Sequence, residues 1–444
     1  MPTQRLLVIA AALTLLVAAG VAAPWLAWAA IAGDAVLFAA FALDWLLARG
    51  TPVTAQRGWP PLSVQGSPAE IQVSFYTSAR RAVPVIAREA LHPAIADRPL
   101  RHSFTLNASR GVLWTYPLVP RRRGVHTVGP LTLRISGPLG LARSQRTAIA
   151  PAPRAVYPQV RWDGAVGRLL TLAHRHQLGV APMRYHGAGT EHYALREYRT
   201  GDPPNKIHWK ATARHGRLVT REETWERGMR LVMLLDAGRA MASMDGSRSK
   251  LDHALSATLA LMRVAAARGD RVTLVAFSDR IERILRVRAG ARGIAHAYEA
   301  FFDLEARLAE PAYDLAAETA IESASRGSTV ILLTSVVDLA AAELLRESLL
   351  RMERKHRAIL VNLEDPEVAA LAFGPVSTVQ QAFAKVASIE ILLNNRRLAR
   401  RLRRSRIRVV STAADRLAWE AIEAYLNLYR MRRTTAMVAE VRAR

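Results

Sequence analysis

The chain contains no cysteine among its 444 residues. This absence excludes disulfide bonds, thiolate zinc sites and cysteine nucleophiles, but it leaves the compartment open. Three common catalytic motifs are also absent: the phosphate-binding loop Gly-x-x-x-x-Gly-Lys-Ser/Thr, the nucleophile elbow Gly-x-Ser-x-Gly and the zinc motif His-Glu-x-x-His. Nothing in these patterns indicates an enzyme.

Acidic residues are scarce. The chain has 37 Asp and Glu against 62 Lys and Arg, which gives a formal net charge of +25. Such a charge suits nucleic acid, an anionic lipid surface or an acidic partner protein. Aromatic residues make up only 6% of the chain and do not interleave with a basic stripe. The charge is therefore interpreted as compositional preference and adaptation to a membrane surface, and no nucleic-acid partner is predicted.

Hydrophobic residues make up 50% of the chain, and their excess lies before Arg49. Leu6 to Ala23 and Trp25 to Ala48 are apolar runs separated by Pro24. A transmembrane helix needs about 20 apolar residues. We therefore predict a transmembrane helical hairpin over residues 1–49.

Arginines flank the predicted hairpin. Arg5 precedes the first helix, and Arg49 and Arg57 follow the second, so the positive-inside rule places both ends in the cytoplasm. This predicts a two-pass protein of the inner (plasma) membrane with a cytoplasmic body. The alternative is a cleaved signal peptide ending near Ala18 to Ala23, with the body anchored outside.

Two carboxylates interrupt the second apolar run. Intramembrane carboxylates are costly and often functional. Asp34 lies deeper and is available for hydrogen bonds within the hairpin or between copies. Asp44 is expected near the membrane interface, with no special role.

A chain of this length suggests two or three folded units after the hairpin. Residues 50–153 show alternating apolar and polar positions at Ile71 to Tyr76 and at Leu131 to Ile135, and Val112 to Val119 is strand-like. Frequent Gly and Pro punctuate these stretches. We predict a small antiparallel β-sandwich over this region.

Residues 154–228 form a polar connecting segment, and residues 229–444 alternate apolar strand-like runs with helical periodicity. This alternation predicts a doubly wound α/β domain with a mostly parallel sheet. The strand-like runs are Leu231–Leu235, Val272–Phe277, Thr329–Leu333, Ala358–Leu363 and Ile407–Val410; the helical stretches are Leu251–Ala267, Leu339–Met352, Val379–Leu402 and Ala413–Tyr429.

The connecting segment contains the stretch from Leu195 to Arg214, Leu-Arg-Glu-Tyr-Arg-Thr-Gly-Asp-Pro-Pro-Asn-Lys-Ile-His-Trp-Lys-Ala-Thr-Ala-Arg. It closely resembles the signature of the bacterial family called domain of unknown function 58. Its signature residues are Arg196, Tyr198, Gly201, Asp202, Ile207, His208, Trp209, Lys210, Ala213 and Arg214. Supporting resemblances are Arg122–Pro130, Pro138–Leu141, Val156–Pro158 and Tyr425–Leu426.

The chain departs from the family pattern at one minor position, because Gly137 stands where the family usually has an acidic residue before its Pro-x-Gly-Leu turn. Within the signature, Asp202 follows a glycine in a turn and is suited to capping, while Ile207 and Trp209 supply apolar anchors. We therefore interpret the signature as a polar staple on the α/β domain. The rival interpretation is a hydrolase or cell-envelope enzyme that uses His208 and Asp202.

Members of this family resemble von Willebrand factor A domains in their C-terminal half, and here the resemblance lies in Leu231 to Met241. In such domains an Asp-x-Ser-x-Ser loop binds a divalent cation. Asp236 is present, but Gly238 and Ala240 replace both hydroxyls. Magnesium prefers near-octahedral oxygen ligation, so we predict no metal and no cofactor, with Asp236 as the weak candidate ligand.

The resemblance also implies a partner, because these proteins are associated with MoxR-type AAA+ ATPases. We expect a membrane-anchored, non-enzymatic adaptor that contacts the lipid bilayer and binds this ATPase or its client. Loops at the carboxyl ends of parallel strands form the recognition face in doubly wound sheets. The predicted partner-binding residues are Asp236, Arg239, Met241, Thr334 and Asp338.

Overall fold

The computed structural model describes residues 1–19, 24–96, 99–108, 110–160, 193–199, 204, 207–223, 229–287, 290–337 and 339–428. The chain divides into two compact units, Met1–Gln159 and Val160–Arg444. The N-terminal helices and the β-strands that follow them share the first unit, whereas the sequence suggested separate segments at 1–49 and 50–153. The segment 154–228 begins in the first unit and ends in the second.

Two helices open the first unit, α1 (Gln4–Ala19) and α2 (Pro24–Gly50). Within α2, Trp28–Gly50 is long and apolar enough to cross a membrane, and it is the one such helix among the described residues. The apolar part of α1, Gln4–Val17, is shorter. At about 1.5 Å per residue its described length falls short of the hydrocarbon core, which is about 30 Å thick.

Two antiparallel sheets follow α2, one of three strands in the order β1-β2-β5 and one of four in the order β4-β3-β7-β8; β6 pairs with β9. Alternate side chains of both sheets, such as Val73 and Leu133, belong to one buried apolar cluster. The strands are β1 (Val53–Gly58), β2 (Ala69–Thr77), β3 (Val83–Glu89), β4 (Leu100–Leu106), β5 (Val112–Leu118), β6 (Gly124–Val128), β7 (Leu131–Ser136), β8 (Arg143–Ile149) and β9 (Ala152–Val156).

The carboxylate of Asp44 joins α2 to the turn between β7 and β8. It is fully buried and accepts backbone N–H bonds from Leu139 at 2.7 Å, Leu141 at 2.8 Å and Ala142 at 2.7 Å. A Cβ at Gly137 would lie 2.2 Å from Asp44 Oδ1, so only glycine leaves room for this carboxylate. The expectation that Asp44 has no special role is therefore wrong, because three backbone N–H groups, two of them in buried hydrogen bonds, depend on it.

The extreme N-terminus binds the same turn. The amino group of Met1 donates to the carbonyl of Arg143 at 2.7 Å, and the Thr3 N–H donates to the carbonyl of Leu141 at 3.1 Å. The side chain of Thr3 donates to the carbonyl of Gly140 at 2.7 Å. The starts of α1 and β8 and the end of α2 are thus joined through the turn between β7 and β8.

The second unit contains a six-stranded sheet in the order β16-β15-β12-β17-β18-β19. All neighbours are parallel except the β15–β16 pair, which is antiparallel. Numbered within this sheet, the order is 3-2-1-4-5-6, the doubly wound order in which the next two strands lie on one side of the first strand and the later strands lie on its other side. The strands are β12 (Arg230–Asp236), β15 (Arg271–Phe277), β16 (Ile281–Val287), β17 (Thr329–Thr334), β18 (Arg357–Leu363) and β19 (Arg408–Thr412).

Helices cover both faces of this sheet. The central strand alternates between two apolar clusters, with Leu231, Met233 and Leu235 in one and Val232 and Leu234 in the other. The first cluster includes α4 (Lys250–Ala267), α5 (Ala291–Phe301) and α10 (417–428); the second includes α6 (Tyr313–Ser323), α7 (Leu339–Glu353) and α9 (Val379–Arg404).

Smaller elements complete the described residues of this unit. Strand β10 and helix α3 carry described residues of the family signature, and β11 pairs with β10. Their bounds are β10 (Tyr193–Glu197), α3 (Trp209–His215), β11 (Val219–Glu223), the 3-10 turn Arg239–Ala242, β13 (Met244–Asp245), β14 (Arg248–Ser249) and α8 (Pro366–Phe373).

Candidate functional site: the carboxyl edge of the α/β sheet

The carboxyl ends of the parallel strands lie along one edge of the sheet, which is called the carboxyl edge below. At this edge Asp236 ends the central strand β12 and is fully buried. Its Oδ1 accepts the N–H of Gly238 at 2.7 Å. Its Oδ2 accepts the hydroxyl of Thr334 at 2.5 Å and lies 3.5 Å from the hydroxyl of Tyr313. Both carboxylate oxygens are therefore engaged by groups of the protein itself.

Burial raises the pKa of Asp236 to about 6, although the hydrogen bonds from Thr334, Gly238 and Tyr313 act in the opposite direction. Removing a carboxylate from water disfavours its charged form. The carboxyl group thus holds a proton more tightly in the folded chain than in the unfolded chain.

The residues around Asp236 do not fit a divalent cation. Gly238 and Ala240 offer no side-chain oxygen, and a Cβ at Gly238 would lie 3.0 Å from both the Ala309 carbonyl and Asp236 Oδ1. The described residues include no group of three or more His, Cys, Asp or Glu side chains that could hold a metal ion. Two ligand oxygens of the expected cation motif are therefore missing, and the described oxygens of Asp236 and Thr334 are already hydrogen-bonded to each other.

The segment before α6 covers this end of the sheet. The backbone N–H of Arg239 donates to the carbonyl of Ala309, and the backbone N–H of Arg307 donates to the carbonyl of Ala237, each at 2.8 Å. Leu308 stands out from this covering segment with 83% of its side chain exposed. Beside it, Arg239 pairs with Glu310 at 2.6 Å, and both side chains are more than half exposed.

A buried lysine joins the other half of the edge. Lys250 Nζ lies 2.7 Å from Asp365 Oδ2 and donates to the Ser335 hydroxyl at 3.3 Å. Ser335 in turn donates to the carbonyl of Leu363 at 2.9 Å. Burial alone raises the pKa of Asp365, but the hydrogen bond and charge of Lys250 hold it below its usual value. This ion pair ties α4 to the loops after β17 and β18.

The predicted partner-binding residues differ in exposure. Asp236 and Met241 are fully buried and Thr334 is 1% exposed, so none of the three presents a side chain to a partner. Met241 packs in the apolar cluster beneath the edge, whereas the Arg239 side chain is exposed. Asp338 lies outside the described residues. Sequence reasoning missed Leu308 and Glu310, which follow no recognisable motif.

The signature residues lie partly outside the described structure, since Gly201 and Asp202 are not described. His208 is the N-cap of α3, and its Nδ1 accepts the N–H of Ala211 at 3.1 Å. The backbone N–H of His208 donates to the carbonyl of Val219 at 2.8 Å, which joins α3 to β11. An N-cap satisfies a helix donor that would otherwise lack a partner.

The other signature residues surround this cap. Trp209 is 67% exposed and begins α3, and Ala211 is buried beneath the helix. Arg196 lies in β10, and Ile207 forms a bridge with Thr220 of β11. Tyr198 follows β10, where its N–H donates to Leu218; Lys210, Ala213 and Arg214 lie in α3. The structure thus brings the described signature residues together on one small sheet and helix.

Residues 194–408, just under half of the chain, match the model of the family described as "Protein of unknown function DUF58". The match supports the DUF58 family. The DUF58 match begins in β10, includes the His208 cap and the carboxyl edge at Asp236, and ends in β19. None of the curated proteins matches the chain.

Several solved structures are weakly similar. The CARDB domain of the PF1109 protein from Pyrococcus furiosus, in complex with di-metal ions, is 13% identical with a TM-score of 0.19, over 24% of this chain and 88% of that one. Proximal thread matrix protein 1 from the mussel byssus is 13% identical with a TM-score of 0.24, over 44% of each chain. A β-glucosidase from Listeria innocua is 11% identical with a TM-score of 0.14, over 22% of this chain and 16% of that one. Similarity at this level supports no argument about fold or function.

Proposed function

We propose that this protein is a membrane-anchored adaptor without catalytic activity, whose α/β unit binds a protein partner through its carboxyl edge. The observation that carries the proposal is which side chains of that edge are buried and which are exposed. Its carboxylate, Asp236, is sealed by internal hydrogen bonds, while Leu308 and the Arg239–Glu310 pair stand exposed above it. The described part of this edge thus offers exposed contact area, while the carboxylate of Asp236 is already hydrogen-bonded, as suits a protein-binding surface.

The proposed partner is a MoxR-type AAA+ ATPase or a client that it remodels. This choice follows from the family resemblance of the chain. A von Willebrand factor A-like fold for the second unit is part of the proposal. It is supported by the strand order 3-2-1-4-5-6 with one antiparallel edge strand, and by an aspartate at the end of the first strand.

The proposed anchor is a two-pass hairpin of α1 and α2 in the inner membrane, with the body in the cytoplasm. The apolar span Trp28–Gly50 supports membrane anchoring. A Cβ at Gly33 would lie 3.0 Å from a methyl group of Leu13, so α1 and α2 approach closely there, as helices with small residues do in membranes. Confinement at the membrane raises the effective concentration of a partner that is also recruited there.

The test is co-purification of the ATPase with the full-length protein from detergent-solubilised membranes. We expect Arg239→Glu combined with Leu308→Glu to lower recovery of the ATPase strongly, because the changes reverse an exposed charge and remove an exposed apolar contact. Both side chains are exposed, so the fold should persist. Recovery from wild type should be unchanged in chelator, because no cation bridges the proposed contact.

The matched control changes an equivalent surface elsewhere on the same unit. Leu344 is 60% exposed on α7, and Arg351 forms an exposed pair with Glu318 at 3.8 Å. Leu344→Glu combined with Arg351→Glu should leave recovery of the ATPase as in wild type. Equal recovery with all three proteins would show that the carboxyl edge is not the docking surface.

A further inference from the structure

Helices α8 and α9 form a hairpin with an exposed apolar tip, formed by residues 371–386. The two phenylalanines there are largely exposed, Phe373 by 75% and Phe383 by 73%. Val379 is exposed by 70%, Val386 by 65% and Val376 by 46%. Contiguous exposed apolar side chains of this kind mark an interaction surface.

Charge is distributed unevenly along the same hairpin. Between Val368 and Ile389 the only charged side chain is Lys385, and the only carboxylate of α9 is Glu390. The C-terminal third of α9 is strongly basic. Its arginines are Arg396, Arg397, Arg400, Arg401, Arg403 and Arg404.

Several polar groups of the tip are hydrogen-bonded within it. Thr378 and Gln381 form a capping box at the start of α9. At the end of α8, the Gly374 N–H donates to Ala370 at 2.8 Å, and Lys385 Nζ donates to the Gly374 carbonyl at 2.8 Å. Backbone groups left without partners would oppose transfer out of water. The tip is therefore suited to an apolar environment.

We propose that the α8–α9 tip inserts into the interfacial layer of an anionic membrane, with the arginines of α9 against the lipid headgroups. An apolar segment followed by clustered cations matches the two layers of such a membrane surface. A second copy of the chain is a poorer occupant, because parallel pairing of two α9 helices would bring their arginine clusters together. The inference rests on the proposed membrane anchoring, which keeps a bilayer within reach of the chain.

The test uses full-length protein in vesicles of phosphatidylcholine, with or without phosphatidylglycerol. Because the chain has no cysteine, one introduced cysteine carries a single environment-sensitive fluorophore. The reporter is Phe383→Cys. Phe38→Cys, on an exposed position of α2, is the control for the anchor. Leu308→Cys is the control for an exposed apolar position outside the α8–α9 hairpin.

In vesicles that contain phosphatidylglycerol, we expect blue-shifted emission at position 383 and quenching by doxyl-labelled lipids but not by aqueous iodide. At position 308 we expect no blue shift, quenching by iodide and no quenching by the doxyl-labelled lipids. Adding Arg397→Glu and Arg400→Glu, both exposed on α9, should reduce the lipid quenching at 383. Quenching of position 383 by the doxyl-labelled lipids should also be weaker in vesicles of phosphatidylcholine alone.

Three results would overturn the proposal. Iodide quenching at 383 together with lipid quenching at 38 would show that the anchor is inserted and the tip is not. Protection of 383 from both quenchers would identify a protein occupant, such as a second copy or an acidic partner. Absence of lipid quenching at 38 would remove the anchor itself, and with it both the proposed function and this inference.

Discussion

At the scale of single residues, the burial of Asp236 has a measurable consequence for pH dependence. Its pKa is raised from 3.8 to about 6 in the folded chain. A raised pKa means that the folded state binds the proton more tightly, so its contribution to stability is complete below about pH 4 and is lost as the pH rises through about 6.

Asp236→Asn should remove this dependence, because an amide keeps the shape and carries no charge. The free energy of unfolding of the variant, relative to wild type, should rise by about 2–3 kcal/mol between pH 4 and 7.5. The Thr334 hydroxyl can then accept from the amide. Tryptophan fluorescence during thermal unfolding at both pH values measures the difference. Asp270, whose pKa burial also raises to about 6, is present in both proteins and cancels.

Asp279→Asn is the control with the opposite sign. The hydrogen bond from Ser278 lowers the pKa of the exposed Asp279, so its removal should lower stability at neutral pH and not in acid. Melting curves of wild type and Asp236→Asn that shift in parallel between the two pH values would contradict the assignment for Asp236.

Sequence reasoning found Asp236 because it ends an apolar run, but burial changes the roles of several other residues. Met241 was predicted as an apolar contact residue because it lies in the loop at the carboxyl end of β12, yet its side chain belongs to the buried core. Glu89 pairs with Arg57 at 2.6 Å inside the β-sandwich, where no local pattern places a buried charge pair. Such roles depend on residues distant in sequence.

At the scale of elements, long periodic segments were predictable. The strands β12, β17 and β18 are short apolar runs that are buried except at the first residue of β12 and of β18, and α4 begins with a capping box at Ser249 and Asp252. Each signal is local, so the sequence alone carries it. The strands β2 and β7 were predicted by their alternation and β5 as a strand-like stretch, each within two residues at both ends.

Other elements carry weak local signals and were missed. Strand β16 lies at the antiparallel edge, where Arg283 and Arg286 interrupt its apolar positions. Helix α6 has no side-chain cap at Ala312, and α8 is only 8 residues long. Their positions depend on packing against the sheet and against α9, which tertiary contacts supply.

The junction between α2 and the turn that joins β7 to β8 is also an element-scale feature. Asp44→Asn should lower the free energy of unfolding of the first unit by about 3 kcal/mol, because one buried carboxylate oxygen is replaced by an amide donor that faces N–H groups. Gly137→Ala should have a similar effect, since its Cβ would lie 2.2 Å from Asp44 Oδ1. Thermal unfolding and limited proteolysis of the full-length protein in detergent measure both changes.

The control lies on the same helix. Asp34 is exposed, so Asp34→Asn should change stability by less than about 0.5 kcal/mol. If Asp44→Asn and Asp34→Asn unfold at the same temperature as wild type, the turn between β7 and β8 does not depend on the Asp44 carboxylate.

At the scale of the whole molecule, charge and apolar segments together predict an orientation in the membrane. The net charge of +25 lies mostly outside the apolar N-terminal runs, and Arg5 and Arg49 flank those runs. Moving such a body across a membrane during insertion is opposed by the positive-inside rule, although long domains depend on it less than short loops do. The orientation is therefore best tested directly on the body.

The absence of cysteine makes that test specific, because a membrane-impermeant maleimide reacts only with an introduced residue. We expect Leu308→Cys, 83% exposed, to be labelled in inverted membrane vesicles and not in intact spheroplasts. Ala22→Cys, near the end of the first apolar run and two residues before the break at Pro24, should show the opposite pattern if the chain crosses twice. Labelling of position 308 in intact spheroplasts would place the body outside, as the signal-peptide alternative requires. A cytoplasmic ATPase could not then reach the carboxyl edge, and the proposed partnership would fall with the orientation.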